Sequence, residues 1–161
     1  MLKRFRKLRD DIERFLPLEE QIEGLDAEEW RQLDYLIELL KPFSWYTEAI
    51  GATESGPTIQ NVFEVYNHLF SHIEQHTEKL RRKRIPWKVK MRQALENSKA
   101  KLSQYYSLTR NNIGLIYGCA TILAPQYKLA FFETDDWEDT VNWVSSLISA
   151  KIITSLIIFL A

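Results

Sequence analysis

Residues 58–80 read TIQNVFEVYNHLFSHIEQHTEKL, and in them Ile59, Val62, Phe63, Tyr66, Leu69, Phe70, Ile73 and Leu80 recur mostly at intervals of three and four. That spacing gathers the side chains on one side of a helix, whereas a half-buried strand would alternate every second residue. The segment predicts a long amphipathic helix whose apolar stripe needs partners. The same spacing extends outward in both directions, and no stretch before residue 144 sustains a strand-like alternation. The expected fold is all-α, a helical bundle of about five to six helices.

Toward the N-terminus, Asp26 and Glu29 have the spacing of a capping box. They predict a helix near 27–50 in which Trp30, Leu33, Leu36, Ile37, Leu40 and Phe43 line one stripe. Pro42 lacks an amide and is expected to bend this helix. GATESGP, residues 51–57, supplies a stop and a turn before the helix near 58–80. Toward the C-terminus, Pro86 suits the first turn of a helix over 87–106, with Trp87, Met91, Ala94, Leu95, Ser98, Leu102 and Tyr105 on its apolar side. Residues 112–123 are apolar or small on every side, including Gly114 and Gly118, which predicts a central, closely approached helix. Pro125 should end it and open a short helix through Phe132, and Thr134 or Asp135 caps a further helix near 135–150. The organisation read from this pass is a basic amphipathic segment at 1–25, a helical domain at 26–143 and an apolar tail at 144–161.

A chain of 161 residues can bury one real core,. Its 21 lysines and arginines nearly cancel its 22 acids, so net charge alone points to neither nucleic acid nor membrane. The charges are nevertheless segregated: KLRRKRIPWKVKMR at 79–92 is basic, and ETDDWED at 133–139 is acidic. Cys119 is the single cysteine, which excludes an internal disulfide and a zinc finger and fits a reducing compartment. MLKRFRKLRDDIERF lacks the apolar core of a secretory signal, so the expected location is cytosolic or nuclear. The apolar tail is interrupted by Lys151, and the run after that lysine is well short of the roughly 20 residues of a spanning helix. It reads as a core element rather than a tail anchor.

No nucleophile with an adjacent base is evident, so the chain is not read as an enzyme, and no catalytic residue, metal or cofactor is assigned. His68, His72 and His76 stand four apart on one helix, a spacing that can serve a metal. They fall on the flank and back of the apolar stripe, which reads as a solvated helix face. The acids Glu133, Asp135, Asp136, Glu138 and Asp139 are expected to cap a helix N-terminus. Arg81, Arg82, Lys83, Arg84, Lys88, Lys90 and Arg92, with Trp87 among them, are the candidate nucleic-acid contacts, since phosphate binding needs little beyond dense positive charge. Glu74, Glu78 and Glu96 dilute that field.

LLKPF at 39–43, TIQNVFEVYNHLFSHIE at 58–74, ALENSKAKLSQYYSLT at 94–109 and IYGCATILAPQYKLAFFETDDW at 116–137 together resemble the central region of hAT-family transposases, over about residues 30–143. The resemblance implies the helical insertion of a ribonuclease-H-like core, present as a fragment or relic, with DNA as partner, a nuclear location and Lys128 facing solvent or phosphate. It also implies three catalytic acids, none of which can be matched here. Self-association or binding to an intact transposase is a further partner implied. The alternatives are a helical protein-interaction module and a tail-anchored membrane protein.

Overall fold

The computed structural model describes residues 1–15, 24–51, 58–109 and 114–133. These form six α-helices: α1 (Leu2–Lys7), α2 (Arg9–Phe15), α3 (Ala27–Gly51), α4 (Val62–Arg81), α5 (Pro86–Leu108) and α6 (Gly114–Leu123). Two 3-10 helices, Ile59–Asn61 and Leu129–Glu133, complete the described elements, among which there is no strand. The all-α expectation is met. The helix expected near 135–150 and the tail at 144–161 lie outside the described residues, as does the acidic cluster beyond Glu133.

The cap at Asp26 forms as its spacing predicts. Asp26 Oδ1 accepts from the amides of Glu28 and Glu29, each at 2.7 Å, and Glu29 Oε2 accepts from the Asp26 amide at 2.9 Å. Two amides of the first turn are thereby satisfied, and the helix runs unbroken through Pro42 to Gly51,. Its buried side differs slightly from the expected stripe, because Leu39 is buried while Leu40 is exposed. Pro42 withdraws the amide that would reach the Glu38 carbonyl. At the next carbonyl, Leu39, His72 Nε2 donates a hydrogen bond of 3.0 Å from α4.

The chain divides into two compact units, residues 1–51 with 71–98 and residues 52–70 with 99–161. In the first, Trp30, Leu39, Ile73, Leu80 and Leu95 are buried. Phe5 of α1 stacks on Trp30 with ring centroids 5.6 Å apart, and the Arg9 guanidinium lies 4.9 Å from the same ring. Arg6 and Asp34 add an ion pair at 2.8 Å, without the alignment of a hydrogen bond.

The second unit is built on aromatic rings. Phe63 and Phe132 are both buried and meet edge to face at 6.0 Å, with Tyr106, Tyr117, Ile122 and Phe131 packed against them. Thr121, fully buried on α6, donates to the Gln60 carbonyl at 3.1 Å and so ties α6 to the first 3-10 helix. α6 is closely approached by that 3-10 helix, as expected, but it is not central, since Ile116 and Leu123 are 57% and 72% exposed. After α6 the chain does not restart as an α-helix. It turns through 125–128, where Lys128 takes a positive φ of 53°, and then forms the 3-10 helix Leu129–Glu133. The amides of Tyr127 and Lys128 both fold back to the Ala124 carbonyl at 3.1 Å, which holds the chain in a turn.

Candidate nucleic-acid interface

The basic run falls where α4 gives way to α5, on the turn 82–85 and the flanking helix ends. Arg81, Arg82, Lys83, Arg84 and Lys90 are exposed, and Lys88 and Arg92 are partly covered. Three of the seven have local partners. Arg81 pairs with Glu78 at 3.4 Å, Arg92 with Glu96 at 2.6 Å, and the Lys88 ammonium lies 5.1 Å from the Trp87 ring. Among the described residues, Arg82, Lys83, Arg84 and Lys90 carry neither an ion pair nor a side-chain hydrogen bond. Two of the three acids expected to dilute the field, Glu78 and Glu96, thus neutralise the flanks, Arg81 and Arg92, and leave the turn itself positive. Lys128 is exposed but belongs to the other unit.

The turn is anchored by Trp87, which the sequence already places among the basic residues, and by partners that it leaves out of the site, Glu28, Tyr35 and His76. Trp87 Nε1 donates to Glu28 Oε1 of α3 at 2.5 Å, and the same carboxylate pairs with Arg31 at 3.0 Å through its other oxygen. Tyr35 lies edge-on to Trp87 at 5.9 Å and edge-on to His76 at 5.6 Å, and its hydroxyl shares a hydrogen bond of 3.0 Å with His76 Nδ1. Both ends of the basic turn, α4 through His76 and α5 through Trp87, are therefore held to one face of α3. Cations fixed on a stiff support lose less entropy when they meet phosphates than cations on a loose loop do.

The histidines differ from their expected places. His68 remains on the exposed side, 4.0 Å from Glu64. His76 is buried and His72 partly so, with their rings 4.5 Å apart. Burial first, then the neighbouring His72 and Lys79, hold the His76 pKa below the usual imidazole value. The neutral ring can accept the Tyr35 proton at Nδ1, which makes His76 a packing residue. A signal for this was present: Leu69, Ile73, His76 and Leu80 continue the 4-3-4 spacing of the buried stripe,. No group of three or more potential metal ligands occurs among the described residues.

The comparisons with known proteins correct the family reading. The chain is 40% identical over 139 residues to tpeD of Talaromyces stipitatus, a protein provisionally named as a transcriptional regulator. The match takes in 86% of this chain, and the chain spans only 14% of that relative's length. No family model and no solved structure matches. The resemblance to hAT transposases, and with it the reading as a transposase fragment or relic, is overturned by this similarity to a protein named for transcriptional regulation. The structure supplies a physical reason why the pieces mislead. A small-residue helix stopped by proline and followed by aromatics is what a helical domain uses to end α6 and return Phe131 and Phe132 to the core. No helix among the described residues is long and apolar enough to cross a bilayer, and the tail-anchor alternative falls on residues 144–161, outside them.

Proposed function

We propose that this chain is a helical, non-catalytic segment of a nuclear transcriptional regulator that contacts DNA phosphates through the turn joining α4 and α5. The observation that carries the reading is the unpaired positive charge of Arg82, Lys83, Arg84 and Lys90 on a turn anchored by Trp87 and Glu28. Exposed cations without carboxylate partners keep their full attraction for an anionic backbone, and each phosphate they neutralise releases condensed counterions. The tpeD similarity supports a setting in transcription, although most of that protein lies outside the matched part.

Fluorescence anisotropy with a labelled random-sequence duplex tests this. Binding should weaken steeply with salt, with a slope of log affinity against log salt near roughly −0.9 for each phosphate engaged. Replacing Arg82, Lys83, Arg84 and Lys90 by alanine should abolish most of the affinity and flatten the slope by roughly one for each cation that makes a contact. Binding that ignores salt, or that survives the fourfold substitution, would show that the turn is not the DNA contact. No binding at all would sink the reading.

A further inference from the structure

Beyond the basic turn, α5 presents an exposed face with a different chemistry. Lys90, Gln93, Ala94 and Asn97 stand at i, i+3, i+4 and i+7, so they project from one side over two helical turns, and all four are exposed,. Among the described residues, the side-chain amides of Gln93 and Asn97 have no hydrogen-bond partner. Other amides are engaged, Asn61 with Tyr127 and Gln104 with Lys101. Glu96, the single acid of α5, lies off this face and is held by Arg92 at 2.6 Å. An exposed polar helix face is ordinary in itself. What distinguishes this one is that it carries no acid and comes immediately after the unpaired Arg82, Lys83 and Arg84.

We propose that this face of α5 enters the major groove of double-stranded DNA and reads base edges, with the preceding turn clamping the backbone. The inference rests on the DNA-contact reading above and goes beyond it by assigning sequence preference. The inventory fits: a carboxamide can bond an adenine at two points, and an alanine methyl can pack on a thymine methyl, while Lys90 keeps its phosphate role beside them. A helix with its side chains is about 10 to 12 Å wide, close to the roughly 12 Å width of the groove. Phosphate contacts from the turn would set the register in which Gln93 and Asn97 meet the bases.

The test is selection of preferred duplexes from a randomised pool with the full chain, followed by titration of a selected and a scrambled duplex. The selected duplex should bind at least about a hundredfold more tightly. Gln93→Ala and Asn97→Ala should each cut that preference by about fivefold or more, with the salt slope unchanged, since no phosphate contact is lost. Both sites are exposed and alanine favours helix, so both variants should fold. Lys83→Ala should instead weaken both duplexes alike. Equal affinity for all duplexes with normal salt dependence would overturn base reading and leave the phosphate contact standing. A preference that survives both amide substitutions would also overturn it, and failure to bind any duplex would overturn both proposals.

Discussion

Tyr127 joins the turn after α6 to the start of α4. Its hydroxyl donates toward Asn61 Oδ1 at 3.2 Å and toward the Glu64 carboxylate. Burial first, then the hydrogen bond to Glu64 and that carboxylate's charge, push its pKa from 10.0 up to about 12. Because the folded value lies above the unfolded one, the stabilisation is whole below about pH 10 and is lost as pH rises through about 12,. Tyr127→Phe should cost about 1 to 2 kcal/mol at neutral pH. Urea melts should show it, and the difference from wild type should shrink between about pH 10 and 12,. An unchanged midpoint would mean that the hydroxyl contributes nothing. At this scale the sequence reveals residue types better than partners. Trp87 can be placed on the apolar side of α5 from its spacing, but its bond to Glu28 spans 59 residues and leaves no local trace. The histidines depart from expectation for a simpler reason: four residues of α-helix turn about 40° beyond a full circle, so two steps carry His76 about 80° around from His68.

Among the elements, α3 offers the most direct test of a local signal. Asp26→Ala removes the acceptor for two first-turn amides and should cost about 1 kcal/mol, while Asp26→Ser should restore most of it. Thermal melts of the two variants decide whether the capping box contributes as drawn; equal midpoints would assign the start of α3 to tertiary packing instead. α3, α4 and α5 are legible because each is long, periodic and bounded by a cap, a proline or a turn. The segment after Pro125 is not. Proline fixes one φ angle and fits the first turn of any helix, but it cannot specify whether an α-helix comes next. Here Tyr127 is drawn to Asn61 and Glu64, and Lys128 takes a left-handed conformation that interrupts the helix. α6 is obscure on similar grounds, since a mostly apolar segment shows no preferred side and its polar Thr121 is buried by a bond to Gln60 while Ile116 and Leu123 are exposed.

For the whole molecule, neither unit is continuous in the chain, and α4 and α5 contribute residues to both. Removing residues 1–51 should therefore strip the α3 partners from His72, His76 and Trp87 and take away a part of the unit that buries Ile73 and Leu80, rather than release a separate domain. Each large apolar side chain so exposed forfeits about 1.5 to 3 kcal/mol. The shortened chain should bind a hydrophobic dye and lose its cooperative melt; a sharp transition in residues 52–161 would show that the remainder stands alone. Fold class is legible at this scale because periodicity is repeated in every long segment, whereas family is not. Short pieces in register report shared helical architecture, and the likeness to tpeD depends on identity spread over 139 positions. The interleaving of the two units also matters on the ribosome. Phe63 emerges early, yet its core partner Phe132 is made roughly 70 residues later, which at roughly 5 to 20 residues per second leaves the side of the ring that Phe132 covers open for several seconds. Nascent chains should depend on chaperones during that interval, and slow codons placed between the two positions should lengthen the exposure.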